Sequence, residues 1–239
     1  MTEPARSPVV ACIVVAAGKG ERFGHGGKVL ALCGERPILA WSLDALDAAT
    51  SVRDVVVVFG AHTEDEIRSL TAGGDWPKVA ALVPGGASRH DSVQAGIAAV
   101  APDVEVVLIH DAARPLAEPH DFDTVAAMAS RDGAAILAAP VADTLKRVTD
   151  GVIDATVPRA GMWAAQTPQG FRLADYRAAL ERTAGLENEF TDDASMFESL
   201  NLPVHIVPGS RLNVKVTLPE DVMVVDAVIH TRQGREIPR

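Results

Sequence analysis

Short runs of β-branched and other apolar residues recur along this chain, and the segments between them carry apolar residues at helical spacing. VVACIVVA (9–16), VVVVF (55–59), KVAALV (78–83), VEVVLI (104–109) and AAILAAPV (134–141) lack the alternation of a strand with one wet face. They read as strands buried on both sides. Between them, Pro37 precedes Ile38, Trp41, Ala45 and Leu46 at helical spacing, and Thr63 with Glu66 forms a capping-box pattern for a helix through Leu70. Another helix is expected over Asp91 to Val100, and one after Pro119 with Phe122, Val125, Ala126 and Ala129 on its buried face. Alternation of this kind implies parallel strands joined by right-handed crossovers. The expected fold class is α/β: a three-layer sandwich on a mostly parallel, Rossmann-like sheet. Its 239 residues fit a single domain, 1–239.

The alternation breaks after residue 141. VADTLKRVTDGVIDATVPRAG offers two strand-like stretches around Asp150-Gly151, a pair suited to a tight hairpin turn. A protruding β-hairpin arm is expected at about 141–161, and such an arm is marginal unless something packs on it. The cheapest partner is a second copy of the chain, so a homodimer through the arm is expected. Beyond it, MWAAQTPQGF reads as a strand entering a loop, and Leu173 to Arg182 and Thr191 to Leu200 as helices. VHIVPG and LNVKV return to strand, and Thr217 with Glu220 opens a last helix to about Ile229.

Charge and cysteine content narrow the function. A net charge of −10 disfavours a nonspecific grip on nucleic acid. Cys12 and Cys33 lie far from metal-ligand spacing and read as buried or incidental thiols in a reducing compartment. MTEPARSP lacks a signal-peptide core, and no stretch reaches the length of a membrane span, so a cytoplasmic location without membrane contact is expected.

The first apolar run ends in VVAAGKGERFG (14–24). Such a glycine-rich turn lets main-chain N–H groups converge on an anion. It is not a dinucleotide fingerprint, because Phe23 stands where the third glycine belongs and Gly60, not an acidic residue, follows VVVVF. Nor is it a Walker loop, since Val29 follows Gly27-Lys28. What remains is a small-residue loop with two cations, Arg22 and Lys28, at the carboxyl end of a first strand. Fixed positive charges there suit phosphoryl or nucleotidyl transfer.

Ala16-Ala17-Gly18-x-Gly20-x-Arg22-Phe23 with Lys28 resembles the signature of sugar-phosphate nucleotidyltransferases. GGASRHDSV (85–93), IHDAARP (109–115), APVADTLKR (139–147), VPRAGMW, QTPQGF and NVKVT (213–217) narrow the resemblance to the 2-C-methyl-D-erythritol 4-phosphate cytidylyltransferase family, in order, from about residue 9 to 230. The resemblance implies transfer of CMP from CTP to methylerythritol phosphate with release of pyrophosphate, assisted by Mg2+. It assigns Arg22, Lys28 and Lys215 to catalysis, acting as positive charge on the transition state. Ala16, Ala17, Gly18, Gly86, Ser92, Asp111 and Ala112 are implied in binding CTP; Asp111, Arg114, Thr144, Arg159, Thr167 and Lys215 in binding methylerythritol phosphate. In this family the arm residues serve the neighbouring subunit's site.

The chain carries no dense carboxylate or histidine cluster, so the metal is expected to arrive on the CTP phosphates rather than in a protein cage. Asp192 and Asp193 are read as helix-start residues and His110 as a packed neighbour of Asp111. Two departures from the family pattern stand out: Gly27-Lys28-Val29 replaces the common Pro-Lys-Gln, implying that Lys28 is placed only as CTP binds, and Ala87 replaces a common acidic residue. A ribitol 5-phosphate cytidylyltransferase and a catalytically silent nucleotide-binding module are the rival readings.

Overall fold

The computed structural model describes residues 7–20, 23, 27–186 and 190–234. The β-rich runs fall where their composition puts them: β1 (Val10–Ala16), β4 (Val52–Phe59), β5 (Val79–Pro84), β6 (Val106–Asp111) and β7 (Ala134–Pro140); β5, however, lies at the sheet edge and is only partly buried, not covered on both sides as expected. A small β2–β3 hairpin (Leu32–Cys33, Arg36–Pro37), which the pattern analysis did not register, precedes α1 (Ile38–Ala48). The other helices are α2 (Glu64–Thr71), α3 (Arg89–Ala99), α4 (Pro119–Asp132), α5 (Leu173–Arg182), α6 (Asp193–Ser199) and α7 (Pro219–Arg232). Among the described residues no helix is long and apolar enough to cross a membrane.

β10 (Trp163–Arg172) and β11 (His205–Pro208) complete a seven-stranded sheet of order β11-β7-β10-β6-β1-β4-β5. β10 runs antiparallel to β6 and β7; the other pairings are parallel. From β1 the chain moves outward to β4 and β5, then returns to the other side of β1 as β6. That reversal opens a crevice at the carboxyl ends of β1 and β6, where open α/β sheets bind ligands.

Successive β1 side chains feed two cores. Val10, Cys12 and Val14 pack with Leu39, Leu43, Phe122 and Val125 on the α1–α4 side. Ala11 and Ile13 pack with Val93, Ile97, Tyr176 and Phe197 on the α3–α5–α6 side. A third cluster seats α7 through Val225 and Ile229 on Cys33, Ile38 and Val216. α3 comes so close to β1 that a Cβ on Gly96 would lie 2.5 Å from Ile13 Cγ2.

The arm is a separate two-stranded unit, β8 (Leu145–Thr149) and β9 (Val152–Val157). Asp150 (φ 49°) and Gly151 (φ 81°) make its turn in the left-handed region, as the Asp-Gly pair predicts. Val148, Val152 and Ile153 are more than half exposed along it.

Several local expectations are corrected. Residues 163–172 form a continuous strand rather than one entering a loop, with a register break between Ala165 and Gln169. Residues 212–216 form no strand; the segment is held by Val216 N–H donating to Ala113 O at 2.8 Å. Neither predicted capping box forms. The Thr63 hydroxyl turns back to donate to Gly60 O, and α7 is capped by Asp221 Oδ2, which accepts from the N–H groups of Thr217 and Leu218. A carboxylate on the first turn outcompetes a hydroxyl here because it accepts two bonds and complements the helix end.

Candidate functional site

A cleft of about 580 Å3 opens at the carboxyl ends of β1 and β6. Its floor is the β1 loop, with Ala16, Ala17, Gly18 and Gly20 on the lining. The loop is shaped by close approach on one side and left open on the other. A Cβ on Gly85 would stand 2.4 Å from Ala17 Cβ, whereas one on Gly18 would meet nothing within 4 Å. Gly18 therefore presents bare main chain to the cleft, as a phosphate-binding turn requires.

Lys28 follows Gly27, whose φ of 101° turns the chain into a short 3-10 segment, Lys28–Leu30. Its stem lies along Gly20, 3.4 Å from that residue's virtual Cβ, and Nζ donates to Val216 O at 3.3 Å. These contacts put Lys28 on the cleft wall. Arg22, its expected companion, lies outside the described residues.

On the opposite wall Gly86 and Ser92 line the cleft. Ser92 is buried and its Oγ accepts from Gly86 N–H at 3.2 Å while donating to Ser88 O, tying the Gly-Gly turn to the start of α3. The acidic partner of Ser88 in that helix's capping box is Asp91.

Asp111 ends β6 directly beside Val15 of β1. Its carboxylate accepts from Lys215 Nζ at 2.7 Å and faces Arg89 Nε at 3.4 Å and Arg114 Nε at 3.9 Å. Burial alone would push the carboxyl pKa up. The three cations outweigh that and hold it well below the usual carboxylate range. Arg114 is turned away from the cleft, donating to Asn213 O at 2.7 Å and Ala165 O at 3.4 Å; it braces the segment that carries Lys215. Burial lowers its own pKa.

Other expected residues lie behind this surface. Ala112 is fully buried, its N–H donating to Val15 O, and Ala113 lines the cleft beside it. Thr167 is also buried: its Oγ1 accepts from Asp111 N–H at 3.0 Å and lies 3.0 Å from His110 Nδ1. His110 packs edge-on against Phe122, and burial, reinforced by Arg114 and Lys215, lowers its pKa to about 4 against the pull of Asp111. Thr144 and Arg159 are exposed at the base of the arm, Arg159 donating to Ala142 O, and neither lines this chain's cleft.

The cleft lining carries four cations, Lys19, Lys28, Arg89 and Lys215, and one carboxylate, Asp111, in an acidic chain. Lys19 and Arg89 escaped the sequence reading. For Arg89 a signal existed: a cation immediately after a helix N-cap, where an acidic residue is favoured. Among the described residues no group of three histidine, cysteine or acidic side chains could cage a metal. Asp192 caps α6 by accepting from Ser195 N–H, whereas Asp193 is buried and accepts from both Tyr176 and Arg89.

Comparison with known proteins adds a second line of support. Residues 10–231 match the family model described as IspD, 2-C-methyl-D-erythritol 4-phosphate cytidylyltransferase. The 2-C-methyl-D-erythritol 4-phosphate cytidylyltransferase of Pelotomaculum thermopropionicum is 43% identical over 230 residues, covering 95% of this chain and 96% of its own. That of Frankia casuarinae is 44% identical over 231 residues, covering 95% and 83%. Among solved structures, the 4-diphosphocytidyl-2C-methyl-D-erythritol synthase of Anaerococcus prevotii superposes with a TM-score of 0.81 at 29% identity, covering 94% of this chain and 97% of its own. The Thermus thermophilus cytidylyltransferase gives 0.74 at 31%, covering 92% and 98%.

Proposed function

The chain belongs to the 2-C-methyl-D-erythritol 4-phosphate cytidylyltransferase family, and from that premise we propose how its cleft moves a cytidylyl group from CTP to methylerythritol phosphate. The observation that carries the proposal is the ring of cations about Asp111, facing a loop of bare main chain. CTP lies with its base and ribose toward Gly86 and Ser92 and its triphosphate over Ala16 to Gly20. Lys28 meets the phosphates from one side and Lys215 from the other; the family resemblance assigns Arg22 to the same charge.

An oxygen of the substrate phosphate attacks the α-phosphorus in line. One P–O bond forms, the bond to the β-phosphate breaks, and pyrophosphate leaves with the electron pair. No protein nucleophile is needed, and the attacking monoester is largely ionised near neutral pH, so no general base is required either. The protein's share is to hold two anions together and to offset the charge that builds up between them. Asp111 serves this by keeping Lys215 and Arg114 in place.

Mg2+ fits the site as a passenger on CTP. The oxygens of Asp111 already face Lys215 and Arg89, and Mg2+ keeps waters and binds substrate phosphates readily. When bound it withdraws charge from the phosphate oxygens.

The exposed Thr144 and Arg159 support an arm that works in the cleft of a second copy, giving a homodimer with shared sites. Small, water-soluble, anionic substrates support a cytoplasmic location. Pyrophosphate release from CTP and Mg2+ with either sugar phosphate tests the assignment. Turnover with methylerythritol phosphate is expected. Turnover confined to ribitol 5-phosphate, or none with either, would overturn it.

A further inference from the structure

The cleft contains a cation that helix energetics does not explain. Arg89 is the first residue of α3, where unpaired N–H groups make the helix end positive and a cation is disfavoured. The helix start is already served by Ser88 and Asp91. Arg89 instead bridges two carboxylates on different elements. Its Nη1 is 2.7 Å from Asp193 Oδ2 at the start of α6, and its Nε is 3.4 Å from Asp111 Oδ1 at the end of β6.

Asp193 is a firm anchor. Its side chain is 3% exposed, and its other oxygen accepts from the buried Tyr176 hydroxyl at 2.7 Å. Asp111, only 11% exposed, is served by three cations, two of which have other duties. Lys215 is needed by the substrates, and Arg114 is bound to Asn213 O and Ala165 O. A buried carboxylate that lost its nearest partner during the reaction would be costly, or would pull that partner back. The guanidinium of Arg89 can stay, because its second partner is neither substrate nor mobile loop but a buried side chain.

We propose that Arg89, pinned by Asp193, is a positioning residue that holds the Asp111 carboxylate in place while Lys215 is drawn to the anionic substrates. This rests on the reading of the cleft given above. Arg89 acts through Asp111, and the planar guanidinium suits the role because it can bridge two carboxylates at once, as an ammonium cannot.

Steady-state pyrophosphate release, with both substrates varied, tests it on the full chain as Arg89→Gln, Arg89→Lys, Asp193→Asn and Asp111→Asn. Arg89→Gln is expected to lower kcat about tenfold to a hundredfold, as loss of a supporting residue around a reacting centre commonly does. The KM for each substrate should move less than about threefold, since the lost interaction matters in the transition state rather than in binding. Arg89→Lys should recover part of kcat. Asp193→Asn, which keeps shape and the tyrosine contact, should lower kcat in the same direction by a smaller factor although Arg89 is present.

Unchanged kcat in Arg89→Gln beside an inactive Asp111→Asn would overturn this inference alone. So would losses confined to KM or to thermal stability, or a wild-type kcat in Asp193→Asn. A fully active Asp111→Asn would overturn the reading of the cleft and this inference with it. If Arg89→Gln fails to fold, the lysine and asparagine variants carry the same comparison.

Discussion

At the residue scale, the site works by opposing burial with charge, and two predictions follow from that balance. Lys28→Ala should reduce turnover about 10²- to 10³-fold, the usual loss when one preorganised positive donor is removed from a developing anion. Single-turnover and steady-state kinetics would show it, and an unchanged rate would remove Lys28 from the mechanism. His110 supplies the pH prediction. Its pKa is lowered to about 4 from an ordinary 6.5, so the unfolded chain binds the extra proton first. The stability it contributes is whole above about pH 6.5 and is lost as pH falls toward 4, with an upper size of about 3 kcal/mol. Urea unfolding at pH 7 and pH 5 should show that fall, and His110→Gln, which cannot titrate, should flatten it. The carboxylate of Asp111 works in the same direction but only in stronger acid, because its folded pKa lies below its ordinary value.

At the element scale, packing decides what loop chemistry is possible. Gly96→Ala on α3 would gain about 1 kcal/mol of helix propensity at an exposed site. Here the added methyl would lie 2.5 Å from Ile13 Cγ2, and overpacking of this kind costs about 1–3 kcal/mol, so net destabilisation is expected. A rise in the urea midpoint would contradict it. The arm makes the opposite kind of demand, since its apolar residues face outward. Val152→Asp with Ile153→Asp should yield monomers in sedimentation and abolish turnover, whereas a dimer that persists, or an active monomer, would refute a shared site. The elements themselves were largely legible in the sequence, because doubly buried strands and amphipathic helices such as α4 and α5 write their burial into residue type. What failed was the choice between competing polar groups. Thr63 and Thr217 matched a capping pattern, yet a backbone carbonyl and Asp221 took the bonds. Residues 212–216 are apolar enough for a strand but are held by point contacts such as Val216 to Ala113.

At the scale of the whole molecule, the sheet order brings residues 15–20, 86–89, 92, 111 and 215 to one crevice, though they are widely separated in the chain. The motif resemblance pointed to several residues of that crevice but not to Lys19 or Arg89, and only tertiary structure reveals who supports whom. Thr167 and Arg114 stand behind Asp111, and Arg89 ties it to Asp193, a link between residues 104 apart that no local spacing encodes. Mixed dimers of an Arg22→Ala chain with an Arg159→Ala chain offer a further check at this scale, since each dimer would regain one intact site if the arm reaches across. The most direct measurement is a crystal structure with CTP and Mg2+ bound. The triphosphate is predicted to lie on the main chain of Ala16 to Gly20 with Lys28 Nζ within hydrogen-bond distance of a phosphate oxygen. Density for CTP elsewhere on the protein, with that loop unoccupied and Lys28 turned to solvent, would contradict the account.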